Sequence, residues 1–200
     1  MKFLLKLLSV LGFRVDFYVD LDGTIADLYS EEDWLERHFY DEDLFKNLNT
    51  YENFITVLRL MKMKYGPLLR INSLSAVMVG AEDLVYPGKN IWIDRHCSFF
   101  DRRFFLKNGS SKAETIKPKG KLSKRCILFD DFTANCNDWF CHGGYSVKVS
   151  NGRNCKGGSW AGEIIYNQAP IRELYENVNT IFINALPIPK KLKKLTCIFA

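Results

Sequence analysis

Residues 16–28 read DFYVDLDGTIADL, an apolar run that carries two carboxylates, Asp20 and Asp22, with Gly23 and Thr24 directly behind them. Aromatic and β-branched residues over this length predict a buried strand. An ordinary buried strand does not tolerate two unpaired carboxylates, because removing an ionised acid from water without a partner is expensive. The two acids therefore belong at the end of the strand, where a compensating charge can reach them.

The rest of the chain repeats the pattern. The runs FYVDL (17–21), LLRINSL (68–74), RRFFLKN (102–108), CILFDD (126–131) and YSVKVS (145–150) predict five strands. Helical spacing of apolar residues marks 31–39 and 52–65, a helix is expected within 82–97 after the break at Pro87 and Gly88, and another over 169–186. Strands alternating with helices imply a doubly wound, mostly parallel α/β sheet. A chain of 200 residues is long enough for one such domain with a small insertion. Ligands on such sheets bind beyond the carboxyl ends of the strands, near the point where strand order reverses. Asp20 ends the first predicted strand, Ser73 and Ser75 the second, and Asp130 and Asp131 the fourth, so three strand ends carry polar groups suited to one site.

Four neighbouring carboxylates repel one another and stay ionised only with a cation among them. Oxygen donors without histidine or cysteine suit Mg²⁺, which shares its coordination readily with phosphate. Asp20 is then a candidate nucleophile forming an aspartyl-phosphate. Asp22, beyond the strand end, is a candidate general acid and base. Gly23 permits the bend, and its N–H is a candidate phosphate contact. A serine hydroxyl and a lysine would hold the remaining phosphoryl oxygens.

The sequence DLDGT at 20–24 with its preceding strand, LSA at 74–76 and ILFDD at 127–131 resemble the first, second and fourth motifs of the haloacid-dehalogenase-like hydrolase superfamily. The resemblance implies a Rossmann-like core in which the first and fourth motif strands are adjacent, which would bring Asp20 and Asp131 together. It favours Ser75 over Ser73, and it implies that Asp22 lends Mg²⁺ its backbone carbonyl. DDFTANCNDW (130–139) followed by NGRNCKGGSWAG (151–162) is similar to the bacterial and phage-type 5′(3′)-deoxyribonucleotidases. NGSSKAE (108–114) resembles the segment bearing that family's third-motif lysine, which makes Lys112 the candidate and leaves Lys89 as its rival. This narrower likeness implies hydrolysis of nucleoside monophosphates. It also implies a small helical cap over 28–67 inserted into a core of 14–27 and 68–186, with Gly23, Thr24 and Trp34 at the substrate. Trp34, Phe39, Tyr40 and Phe45 either stack on a nucleobase or pack the cap onto the core. Asn135 either orients the paired acids or caps a helix.

Other readings stay open. The net charge of +5 suits an anionic substrate or nucleic acid without deciding between them. A polynucleotide-end or metabolite phosphatase, or a binding module on a degenerate phosphatase fold, would share these motifs. Six cysteines with no C-x-x-C pair fit no zinc module and suggest a reduced, cytoplasmic protein. The apolar N-terminus, residues 1–13, is interrupted by Lys6 and too short to span a bilayer, and 187–200 form a basic tail.

Overall fold

The computed structural model describes residues 10, 12–154 and 159–187. The basic tail beyond 187 and most of the N-terminal lead-in, together with Cys155 and Cys197, lie outside the described residues.

Six strands form one all-parallel sheet: β1 (Val15–Val19), β2 (Leu69–Val77), β3 (Arg102–Lys107), β4 (Cys126–Asp130), β5 (Tyr145–Ser150) and β6 (Glu163–Tyr166), in the order β3-β2-β1-β4-β5-β6. The helices are α1 (Trp34–Arg37), α2 (Glu52–Tyr65), α3 (Glu82–His96), α4 (Lys112–Ile116), α5 (Thr133–Cys141) and α6 (Ile171–Ala185). The sheet grows from β1 in two directions, so strand order reverses there.

Alternation along β1 divides the core. Val15, Phe17 and Val19 face the layer of α2, α3 and α6, while Tyr18 faces α4 and α5. Phe17 meets Phe129 with ring centroids 5.0 Å apart and Phe182 at 6.2 Å, and Phe54 of α2 closes on Phe129 at 5.5 Å. On the other face Tyr18 packs against Trp139 of α5 at 5.1 Å. Asp16, the acid at the foot of β1, is held by Arg70 of the neighbouring strand, its Oδ2 accepting from Nη2 at 2.7 Å.

Several elements differ from the sequence reading. The sheet contains a sixth strand, β6, whose four residues follow a glycine-rich segment and carry only one buried side chain, so they lack the apolar signature of a central strand. Helix α3 starts at Glu82 and runs through Pro87 rather than beginning after it. The helix expected over 31–39 is a single turn. Lys112 opens a short helix that Ser111 caps, its side chain accepting from Glu114 N at 3.0 Å.

The segment between β1 and β2 has two parts. Residues 28–51 leave the sheet and return, and their base is pinned by the antiparallel bridge Ala26–Thr50 and by hydrogen bonds Asp27 N to Asn49 O and Tyr51 N to Ile25 O, both 2.9 Å. Helix α2, grouped with the cap in the sequence reading, lies on the sheet: its buried face of Phe54, Ile55, Val57, Leu58 and Met61 belongs to the main core, and the Tyr65 ring packs at a tilt against Phe182 of α6, centroids 4.2 Å apart. Among the described residues no helix is long and apolar enough to cross a membrane.

Phe17 touches aromatic rings from β4 and α6, so its truncation opens a cavity at the centre of the sheet. Phe17→Ala is expected to lower unfolding free energy by about 3–5 kcal/mol, read from the urea midpoint. A loss below about 1 kcal/mol would place the main core elsewhere.

Candidate active site

The strand register sets the site. Val19 pairs with Ser73 on one side and with Phe129 on the other. Asp20 is thus level with Asp130, and Ser75 stands two residues higher than Ser73, beside the turn that carries Asp22. The turn is tight: the Leu21 carbonyl accepts from the N–H groups of Thr24, Ile25 and Ala26 at 2.9–3.1 Å. Gly23 adopts φ +73° in it, and a Cβ there would collide with Asp131 Oδ2 and the Tyr29 ring. Only glycine meets both demands.

Three carboxylates, Asp20, Asp130 and Asp131, present oxygens within 4.8 Å of one another, all buried. They are not equivalent. Asp130 is saturated by the protein: it accepts from Lys112 Nζ at 2.6 Å, from Phe132 N at 2.8 Å and from Asn135 Nδ2 at 3.1 Å. Asp131 lines the open cavity and is held from behind by Asn154 Nδ2 at 2.9 Å and, at the limit of hydrogen bonding, by Asn151 Nδ2 at 3.4 Å. Lys112, 2% exposed, also lies 2.9 Å from Asp20 Oδ1.

A second lysine is just as deeply buried. Lys89 of α3, also 2% exposed, donates to Asp22 Oδ2, to Ser75 Oγ at 2.8 Å and to the Ala76 carbonyl at 2.9 Å. Both rival lysines thus enter the carboxylate cluster, each from a different helix.

These contacts shape the electrostatics. Burial pushes Asp131 well above the usual carboxylate range, and the Asp130 and Asp20 charges add to it. Burial likewise raises Asp130 to about 6, against the pull of Lys112. Burial raises Asp22 while Lys89 opposes the shift. For Lys112 burial works downward, but Asp130 and Asp20 outweigh it and hold the ammonium above its ordinary value.

Four carboxylates against two ammonium groups leave a formal surplus of two negative charges, and Asp22 Oδ1 is buried without a hydrogen-bond partner. An all-oxygen donor set with that surplus fits a hard divalent cation such as Mg²⁺. Asp20 and Asp131 are placed to hold it, with Asp130 behind them.

A cavity of about 270 Å³ opens above the cluster, and Asp20, Asp22, Lys112, Asp131 and Asn135 line its polar side. Tyr29, Trp34, Leu35 and Phe132 form its apolar wall. Trp34 meets Tyr29 and His38 edge to face at 5.4 and 5.6 Å, and Phe132 stands 61% exposed at the mouth.

Three expected substrate contacts are placed differently: Ser75 is fully buried against Lys89 and does not line the cavity. The Gly23 N–H donates to the Ala26 carbonyl at 2.8 Å, so the turn itself uses the donor expected at a phosphate. Thr24 is fully buried behind the turn and does not line the cavity. Phe39 and Tyr40 are exposed, and Phe45 packs over Lys89 rather than lining the cavity.

The residues that sequence reasoning missed are three asparagines. Asn151 Nδ2 donates to the Gly23 carbonyl at 2.8 Å, Asn167 Nδ2 to the Thr24 carbonyl at 3.1 Å, and Asn154 to Asp131. Asn151 and Asn154 follow directly on β5, so extending the strand-end rule to that strand would have found them.

No family model matches the chain, and no match is found among curated proteins. Solved structures do match. A predicted phosphatase from Clostridium acetobutylicum superimposes with a TM-score of 0.56 at 11% identity, over 84% of this chain and 99% of that one. A magnesium-bound putative haloacid-dehalogenase-type hydrolase from Bacillus subtilis gives 0.53 at 8% identity, over 83% and 99%. L-2-haloacid dehalogenase from Xanthobacter autotrophicus, solved with chloropropionic acid covalently bound, gives 0.52 at 9% identity, over 83% and 98%. The chain has the fold of the haloacid-dehalogenase-like hydrolases. At these identities the likeness is one of fold, and it spans phosphatases and dehalogenases alike.

Two measurements probe the site. Protons compete with a cation for Asp130 and Asp131, whose folded values lie above the unfolded ones, so cation binding strengthens as pH rises through about 6. Mg²⁺ is therefore expected to raise the melting temperature of metal-free protein more at pH 7.5 than at pH 5, and equal shifts would argue against a site at these acids. Gly23→Ala is expected to lower stability by roughly 1–3 kcal/mol in thermal or urea unfolding, through its positive φ and the clash with Asp131.

Proposed function

We propose that the protein is a Mg²⁺-dependent phosphomonoesterase that acts through an aspartyl-phosphate on Asp20. The observation that carries this reading is the convergence of Asp20, Asp22, Lys112 and Asp131 around the cavity at the carboxyl edge of adjacent strands, with Ser75 buried beside them.

An Asp20 carboxylate oxygen attacks phosphorus, and the bond from phosphorus to the ester oxygen breaks. The leaving alkoxide takes a proton from Asp22, which burial favours in its protonated form. Asp22 then accepts a proton from the water that attacks the phosphoryl group, phosphate leaves, and Asp20 is restored. Lys112 donates to Asp130 and lies against Asp20, and its ammonium has a third N–H for a phosphoryl oxygen. When bound, Mg²⁺ neutralises charge on the transferring group. Asp20 and Asp131 are its proposed ligands, with the Asp22 backbone carbonyl as a third. Asp130 acts as the anchor that fixes Lys112.

The proposed substrate is a nucleoside monophosphate. Its support is the cavity's mixed wall, with polar groups for a phosphate at the floor and Trp34 and Phe132 for a flat apolar group above. The proposed cap is 28–51, the excursion pinned at Ala26–Thr50, with the core as 14–27 and 52–186. A reducing, cytoplasmic setting belongs to this reading, supported by free thiols at Cys97, Cys126, Cys136 and Cys141.

The test is a phosphatase screen in Mg²⁺. Wild type is expected to release inorganic phosphate from deoxynucleoside monophosphates, and chelation should abolish it. Asp20→Asn is expected to remain folded and lose at least about 10³-fold in kcat, as loss of a covalent nucleophile implies. Turnover near wild type in that variant would remove Asp20 as nucleophile. Preference for phosphorylated oligonucleotides over mononucleotides would replace the substrate and keep the chemistry.

A further inference from the structure

The two buried lysines differ in what their protons are doing. An ammonium has three donors. Those of Lys89 meet three acceptors, Asp22 Oδ2, Ser75 Oγ at 2.8 Å and the Ala76 carbonyl at 2.9 Å. No donor is left over for a substrate. The group is also sealed: the Phe45 ring lies over it with its centroid 4.8 Å from Nζ, and the space bounded by Leu21, Asp22, Phe45, Leu48 and Trp92 has no room for a water. Gly88 permits that seal, since a Cβ there would crowd Phe45 Cβ at 3.1 Å.

What Lys89 leaves free is as definite as what it takes. Asp22 Oδ2 is held, while Asp22 Oδ1 has no hydrogen-bond partner. The Ser75 oxygen accepts from the lysine, so its own O–H remains to donate, and no acceptor for it is found among the described residues. Asp22 lines the cavity, whereas Ser75 is fully buried behind it and does not.

We propose that Lys89 is a positioning residue: it clamps the Asp22 carboxyl to Ser75 and the Ala76 carbonyl, and so fixes the orientation in which Asp22 stands at the cavity wall. It touches neither substrate nor phosphate. This inference rests on the phosphatase reading above and assigns the second lysine of that site. Without the clamp, Asp22 can rotate and offer its proton in the wrong direction, and a general acid out of hydrogen-bond reach of the leaving oxygen loses its effect. The loss falls on leaving groups that need a proton. An alkoxide needs one, whereas 4-nitrophenolate leaves without.

The test compares kcat/KM in Mg²⁺ for a deoxynucleoside 5′-monophosphate and for 4-nitrophenyl phosphate, with the inhibition constant of inorganic phosphate as a third readout. In Lys89→Met the nucleotide value is expected to fall about 100-fold or more, while the 4-nitrophenyl value falls less than about 10-fold. Phosphate inhibition should stay within about 3-fold of wild type. Because Lys89→Met strands a buried carboxylate, the double variant Asp22→Asn/Lys89→Met is measured beside Asp22→Asn. The two should agree within about 3-fold, since the clamp acts through the group already removed. Equal losses on both substrates, tenfold weaker phosphate inhibition, or additive losses in the double variant would overturn the positioning role. Wild-type protein inactive on both esters would instead overturn the phosphatase reading, and the proposal with it.

Discussion

Buried charge is the constraint around which the rest of this structure is arranged. Asp20, Asp22, Asp130 and Asp131 share one end of a parallel sheet with Lys89 and Lys112, the acids little exposed and both ammonium groups 2% exposed. Such a cluster is unfavourable in isolation, because desolvation of each ion outweighs much of the attraction between them. It persists because each member is tied to rigid backbone. Asp20 and Asp130 leave adjacent strands, Lys112 sits at the first turn of a capped helix, and Lys89 is carried by a long helix packed on the sheet. The aromatic core of Phe17, Phe54, Phe129 and Phe182 directly below supplies the apolar burial that offsets the cost.

Topology explains why the charges meet there. Crossovers from β1 through β2 to β3 put α2 and α3 on one face, and the return through β4 to β5 puts α4 and α5 on the other. At β1 the two halves diverge, and the gap beyond its carboxyl end is the one place that both sets of connections leave open. Gly23 lets the chain turn within that gap, and the excursion 28–51 leaves and re-enters beside it. Asn151 and Asn167 then tie the loops after β5 and β6 to the same turn and Asn154 donates to Asp131, so an edge of the sheet that contributes no acid still fixes the orientation of Asp131.

The central strands were legible in the sequence because burial on both faces writes a dense apolar signal, and the acids stood out against it. Helix α2 was legible to the residue for the same reason, since its apolar stripe is wide. What failed was local. The edge strand β6 has one buried side chain, so it leaves little pattern. Pro87 reads as a break, yet α3 passes through it because packing of Val85, Trp92 and Ile93 outweighs the lost hydrogen bond. The Gly23 N–H could not be assigned from sequence, because a turn donor and a phosphate donor look the same until the carbonyl of Ala26 is placed. Lys89 stood out only as a rival to Lys112, and its partners were hidden for a deeper reason. A lone lysine is a surface residue by default, and only the register of α3 against β2 brings it beneath Asp22.

That concealment bears on how the site divides its work. In the proposed mechanism Lys112 belongs to the nucleophile's side: it contacts Asp20 and Asp130 and faces the cavity. Lys89 is on the side of the proposed acid: it contacts Asp22 and Ser75 and is covered by the Phe45 ring, away from the cavity. Asp20 and Asp22 are two residues apart, and with one cation between them their charges would be balanced jointly, so that moving a proton at one would shift the other. Separate cations on separate helices localise the balance. Phe45 comes from the inserted segment, so the seal over Lys89 is also the contact through which that segment bears on the acid rather than on the nucleophile.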